Sequence, residues 1–321
     1  MNLTFDNLLH YGKNAHMQKR KIIIDTDPGH DDALTIMLLE KSGLFDICAI
    51  TTVAGNSTIQ NTTNNARYIL DLLKSNTPLY SGAASPLKRE LIQADVHGEN
   101  GLAGASIKKQ ESLSQNASDK IIEIVKNNPN QITIIALGPL TNLAQAIQKD
   151  PSIIPMIQSI IIMGGAIEVP GNKNRVAEFN IFVDPDAADI IFRAIIPKTL
   201  IPLDTCHLVY LSLEDFDVLK EIPIYEEIRA MMEHYIKGIQ LFEHTKGAIM
   251  YDPLAAYYLI NPKAFKTELM DVLVETESDL TRGMTVADRR TWGDKHPNID
   301  VAMSADRDAF VKDFLSILKQ N

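Results

Sequence analysis

Apolar positions along the chain alternate between two spacings. Residues 21–25 form a β-branched run that ends in turn residues, which predicts a buried strand. Residues 30–40 follow with Ala33, Ile36 and Met37 at helical spacing. The same reading predicts a strand over 46–54 and a helix over 58–74. It predicts a helix over 118–127, a strand over 131–137 and a helix over 139–149. Pro139 suits a first helical turn, where its missing N–H is not needed. A strand over 158–163, a helix over 185–193 and a strand over 199–203 continue the series. Residues 212–260 read as mainly helical. Two late strands, 266–275 and 298–303, precede a closing helix over 305–319.

Buried strands alternating with amphipathic helices imply parallel βαβ units with helices on both sheet faces. The predicted class is α/β: a single domain with a mostly parallel, Rossmann-like central sheet and additional C-terminal helices. No repeat, low-complexity tract or linker divides it. Residues 20–321 read as the domain and residues 1–19 as a flexible N-terminal extension. In such sheets ligands bind beyond the C-terminal ends of the strands, so that edge is where chemistry is expected.

Composition narrows the possible partners. Across 321 residues the formal net charge is −10. No basic stripe suggests a nucleic-acid groove, and a small neutral substrate is compatible with this balance. Cys48 and Cys206 form neither a metal-like pair nor a disulfide framework, which favours a reducing compartment. The first nineteen residues lack an apolar core of the signal-peptide kind. Apolar runs such as 160–163 fall far short of a membrane span. A cytoplasmic protein without membrane contact is expected.

The predicted first strand runs into Asp25-Thr26-Asp27-Pro28-Gly29-His30-Asp31-Asp32. Four carboxylates occupy eight residues between a strand end and a helix start. Helix capping would account for one or two, at roughly 0.3–1 kcal/mol each. Four converging acids repel one another unless a cation sits among them. Hard oxygen donors suit calcium or magnesium rather than zinc. An EF-hand would need glycine at His30 and glutamate at Ile36. A dinucleotide fingerprint would need glycines where this loop carries acids. A magnesium phosphatase of the haloacid-dehalogenase kind also begins with Asp-x-Asp, but usually continues Gly-Thr where this chain has Pro28-Gly29.

The segment 25–33 resembles the N-terminal signature of the inosine-uridine-preferring nucleoside hydrolases. Further matching segments follow in order: 53–56 (VAGN), 137–142 (LGPLTN), 163–165 (MGG), 178–185 (EFNIFVDP), Asp252-Pro253 and 282–286 (RGMTV). The resemblance covers roughly residues 20–320. It implies an N-glycosidase that splits ribonucleosides into ribose and free base, serving nucleoside salvage, with Ca2+ as cofactor. Asp27, Asp32, Asp252 and the carbonyl of Leu137 resemble the calcium ligands, and Asp31 the general base acting on a metal-bound water. Asn56 would hold that region. Asn172, Glu178 and Asn180 would grip the ribose hydroxyls, and Met163 would line the sugar pocket. The family is commonly dimeric or tetrameric, so a homodimer or homotetramer is expected.

Local readings of several of these residues are plainer. Asp184-Pro185 could simply start a helix. Asp252-Pro253 is a ready N-cap and N1 pair, and Asn172 a turn residue. Glu178 and Asn180 alternate with Phe179 and could share one face of an extended segment. Tyr251 stands where many pyrimidine-accepting relatives have a histidine that protonates the departing base. A phenol titrates near about 10 and is a weaker acid for that task. His97 resembles a base-contacting loop residue, and Tyr235 could stack on the base or pack in the core. Nothing raises His207, His234 or His244 above surface or core residues. Two alternatives to the hydrolase stand: the phosphatase, with Asp25 as nucleophile, and a non-catalytic nucleoside- or ribose-binding protein.

Overall fold

The computed structural model describes residues 19–107 and 116–320. The expected extension, apart from Lys19, lies outside these residues. The strands in chain order are β1 (Arg20–Thr26), β2 (Phe45–Thr52), β3 (Leu79–Ser81), β4 (Ile132–Ala136), β5 (Ile157–Met163), β6 (Lys198–Ile201), β7 (Tyr210–Leu211), β8 (Ala248–Ile249), β9 (Phe265–Met270), β10 (Val272–Val274), β11 (Thr285–Ala287) and β12 (Ile299–Ala305). Eight of them build one sheet in the order β3-β2-β1-β4-β5-β6-β12-β9. All neighbours pair in parallel except β12 with β9. The order reverses on either side of β1, so the crevice between the β1 and β4 ends is a topological switch point.

Strand alternation divides the core between the two faces. Ile22 and Ile24 of β1 face one apolar cluster, and Ile23 faces the other. Ile161 and Met163 of β5 join the first cluster, and Ile160 and Ile162 the second. The first face is covered by helices His30–Ser42, Ile59–Leu73, Tyr225–Glu243, Tyr251–Ile260 and Arg307–Leu318, and the second by Ala117–Asn127, Thr141–Lys149 and Pro185–Arg193. Gly43 closes the helix His30–Ser42 in the left-handed region, φ 63°, where a side chain would be strained.

The predicted architecture holds, with local differences. The helix expected from Pro139 begins at Thr141, with Leu140 as its N-cap. The single late strand expected over 266–275 is two strands separated by Asp271, pairing with β12 and β11 respectively. Residues 179–183 are a short helix rather than an extended segment. The two- and three-residue strands β3, β7, β8 and β11 are too short for their periodicity to register.

Because β1 holds the acidic loop from the middle of the sheet, its packing is the first requirement of the site. Ile24→Ala should destabilise the protein by about 2–5 kcal/mol, as truncation of a fully buried aliphatic side chain generally does. Chemical denaturation would measure it, and a loss under about 1 kcal/mol would show that β1 is not tightly packed.

Candidate active site

The acidic loop leaves the C-terminal end of β1 and enters the helix His30–Ser42. Asp31 and Asp32 sit in the first turn of that helix, and Asp252 in the first turn of Tyr251–Ile260. The two helices pack against each other, so their positive ends converge on the same acids. Asp252 lies one residue inside its helix, whose N-cap is Met250, so the expected N-cap role is corrected. Carboxylate oxygens of Asp31, Asp32 and Asp252 all lie within 4.8 Å of one another, and all three residues are buried.

Asp27 stands beside them. Its Oδ2 accepts the Asn56 N–H at 2.7 Å, while its buried Oδ1 has no partner. A Cβ at Gly55 or Gly138 would collide with this carboxylate, so both glycines are required for its close seating. Asp32 accepts from Thr26, from the Gly29 N–H at 2.9 Å and from Asn56 Nδ2 at 3.1 Å. Oδ1 of Asp31 is likewise buried and unpartnered. Among the described residues, none of the ion pairs involves these aspartates.

Electrostatics follow from that arrangement. Burial, then the Asp32 charge, pushes the carboxyls of Asp27, Asp31 and Asp252 well above the ordinary range. Asp32 is also raised by burial, although hydrogen bonds from Thr26 and Gly29 pull the other way. A divalent ion would relieve this repulsion and engage the orphaned oxygens. The donor set therefore fits a metal ion bound by hard oxygens.

Asp25 belongs to the support beneath the site. It is wholly buried, with Oδ1 accepting from Thr51 at 2.6 Å and Asn142 at 2.8 Å. Burial raises its carboxyl to about 6. It does not line the cleft, so it is no nucleophile for a phosphate ester.

The cleft above the acids is open to solvent and spans about 700 Å3 of empty space, the solvent at its mouth included. It is lined by Asp31, Asn56, His97, Leu137, Met163, Asn172, Glu178, Asn180, Tyr235, Tyr251 and Asp252. The structure thus brings these predicted residues together, with Asp27 and Asp32 immediately behind them. Leu137 follows β4 and Met163 ends β5, at the expected sheet edge. The Leu137 carbonyl accepts from Asn180 Nδ2 at 2.7 Å, and a carbonyl retains a second lone pair for another partner.

Glu178 caps the short helix that follows it. Its carboxylate accepts from the N–H groups of Gly165, Asn180 and Ile181 at 2.8–3.1 Å. Burial raises it to about 7 against the pull of those donors. The expected shared extended face of Glu178 and Asn180 is therefore replaced by a cap and the second residue of a helix. Asn172 accepts the Phe179 N–H at 2.9 Å. Asp184 caps the helix Pro185–Arg193 through the Ala187 N–H.

Tyr235 stacks on His30 and His97 with ring centroids 5.3 and 5.6 Å away. Its hydroxyl donates to the Ile249 carbonyl. It is both core and cleft wall. Burial lowers His30 to about 4, so the ring is neutral near pH 7. Its Nε2–H faces the Ala103 carbonyl at 2.9 Å, so His97 supplies the proton between the two facing Nδ1 atoms, also 2.9 Å apart. The His30 main-chain N–H also approaches His97 Nδ1, at the longer distance of 3.3 Å. The shorter ring contact decides the tautomer and leaves His97 Nε2 as an acceptor.

Glu243, Ile239 and Phe242 also line the cleft. Sequence reasoning did not single them out. Their cue is the spacing of Tyr235, Ile239 and Glu243, four residues apart on one helix face.

Comparison with known proteins agrees with this geometry. The model of the inosine-uridine preferring nucleoside hydrolase family matches residues 22–312. A pyrimidine-specific ribonucleoside hydrolase, RihA, of Shewanella sp. (strain MR-4) is 38% identical over 301 residues, covering 91% of this chain and 94% of that protein. A plant nucleoside hydrolase structure superposes with a TM-score of 0.88 at 31% identity, covering 95% of this chain and 100% of that one. A purine-preferring ribonucleoside hydrolase from Gardnerella vaginalis superposes with a TM-score of 0.87 at 30% identity, covering 94% and 98%.

The raised carboxyls make a signed prediction for the metal-free protein. Their folded pKa values exceed the ordinary aspartate value of about 3.8, so their contribution to stability is fully present below that pH. It is lost as pH rises through the folded values, about 6 for Asp25 and raised for the others. An added divalent ion should therefore raise the denaturation midpoint more at about pH 7.5 than at about pH 5. An equal gain at both would show that the acids do not carry repelling charge.

Proposed function

The chain belongs to the inosine-uridine preferring nucleoside hydrolase family, and from that premise we propose that Asp31 is the general base of a ribonucleoside hydrolase whose Asp27, Asp32, Asp252 and Leu137 carbonyl hold a calcium ion. The reaction is hydrolysis of the N-glycosidic bond to ribose and free base. One observation carries the assignment of the base: Asp31 is buried in the cleft beside Asp32 and Asp252, and its Oδ1 has no partner within the protein.

Calcium, when bound, would acidify and place the attacking water and orient the sugar diol. The protein's own residues do the rest. Asp31 takes a proton from the water as it attacks the anomeric carbon. Bond cleavage builds positive charge on the ribose ring, and the surrounding carboxylates stabilise it. Asn172, Glu178 and Asn180 hold the hydroxyls, which fixes the sugar relative to the water. Met163 supplies an apolar wall beneath the ring. Asn56 ties Asp27 to Asp32 through its main-chain N–H and side-chain amide. Its role is to hold the two acids in register.

His97, Tyr235 and Tyr251 form the nucleobase end of the cleft in this reading. Residues 20–321 constitute the hydrolase domain, which the span of the family match supports. A cytoplasmic role in nucleoside salvage is supported by the two cysteines being free. Assembly as a homodimer or homotetramer completes the proposal. Among the described residues no helix is long and apolar enough to cross a membrane.

Asp31→Asn should lower kcat for ribose release by about 10²–10⁴-fold. The folded protein should lose no stability, because the substitution removes a repelled charge. A reducing-sugar assay paired with thermal melts checks both. Retained turnover would refute the base assignment. Calcium should raise the melting temperature of chelated protein, and isothermal titration should detect its binding. Absence of both effects would refute the ligand set. 2′-Deoxynucleosides should be cleaved far more slowly than ribonucleosides, and equal kcat/KM would refute the grip on the diol.

A further inference from the structure

The base end of the cleft has a polar wall that the hydrolytic reaction does not require. Glu243 ends the helix Tyr225–Glu243, and Tyr251 opens the helix Tyr251–Ile260. Both line the cleft. The Tyr251 hydroxyl donates to Glu243 Oε2 at 2.5 Å. His207 Nε2 lies 3.5 Å from the same oxygen. Among the described residues, no contact engages Glu243 Oε1. The Glu243 side chain is 16% exposed, so its carboxylate is largely withdrawn from water.

The donor and acceptor inventory of this wall is one-sided. The Tyr251 proton is committed to Glu243, so its phenol oxygen offers lone pairs to a ligand. Glu243 Oε1 can only accept while the carboxylate is ionised. The Nε2 of His97 is an acceptor by the tautomer derived above. Among the described residues lining the cleft, Lys173 is the one lysine or arginine, and it lies 3.6 Å from Asp95. Three acceptors therefore confront whatever base occupies this end.

We infer that Glu243, together with the Tyr251 oxygen that it orients, is a specificity-determining residue that selects nucleosides whose base carries an exocyclic amine over their keto counterparts. An amine brings two N–H donors on one nitrogen and can satisfy two neighbouring acceptors. A keto oxygen at the same position would set lone pairs against a carboxylate largely withdrawn from water. A mismatch of this kind leaves polar groups unpaired and discriminates strongly. Cytosine and adenine carry the amine, and uracil and hypoxanthine carry the keto group. The relatives themselves divide between pyrimidine-specific and purine-preferring enzymes. This selection concerns the edge of the base rather than its ring size, so it cuts across that division.

The inference rests on the hydrolase reading and deepens it. The test uses the full-length, calcium-loaded protein and its Glu243→Gln variant. Ribose release gives kcat/KM for cytidine against uridine and for adenosine against inosine. The wild type should favour the amino member of each pair by at least about tenfold, the range of one charge-assisted hydrogen bond. Glutamine keeps the shape but offers a donor as well, so each ratio should fall to within about threefold of unity. A wild-type preference for the keto member in either pair, or unchanged ratios in the variant, would overturn the inference while leaving the hydrolase intact. If no nucleoside is cleaved, the hydrolase reading fails, and equilibrium binding of the same four nucleosides reads the preference directly. The wild-type ratios stand as a test even if the variant does not fold.

Discussion

The site depends on a repulsion that the protein cannot satisfy by itself. Asp27, Asp31, Asp32 and Asp252 are buried together, and two of them retain an orphaned oxygen. Isolated buried carboxylates would be expensive in any fold. Here the helix starts of His30–Ser42 and Tyr251–Ile260, the Gly29 and Asn56 N–H groups and the Thr26 hydroxyl offset only part of that cost. A divalent cation would offset the remainder. A structural acid pair would be neutralised by lysine or arginine. Leaving the charge uncompensated keeps this junction open to a cation.

The rest of the fold serves that junction. Parallel strands place β1, β4 and β5 side by side, so the acidic loop, Leu137 and Met163 leave the sheet along one edge. Gly55 and Gly138 let the neighbouring backbone close around Asp27. Asp25, Thr51 and Asn142 stitch the ends of adjacent strands beneath it. These contacts are mutually consistent with the buried strand pattern, which is why the loop can hold four acids in one conformation.

Much of this was legible in the sequence, and for a physical reason. Strands buried on both faces read as continuous apolar runs, so β1, β4 and β5 were found almost to their ends. The density of acids after residue 24 marked the site because capping could not absorb it. The role of Glu178 was harder to read. Alternation suggested an extended segment, but its carboxylate caps the N–H groups of Asn180 and Ile181 and so starts a helix, while also accepting from Gly165. Glu243 was illegible for a different reason. A glutamate at the end of a surface helix looks like any solvated residue until the fold brings Tyr251 against it. The phosphatase alternative failed on burial, since Asp25 is a strand-end acid in either fold and only three-dimensional packing shows that it cannot reach a substrate.

The acids come from distant parts of the polypeptide: one group lies just after the first strand and Asp252 in the final quarter. During synthesis on the ribosome, the early loop must therefore wait, incomplete, while most of the chain emerges. A cation captured at that stage would find only part of its cage. Full capture would come with the docking of the late helix, so a bound cation would act as a clasp that records the completion of folding.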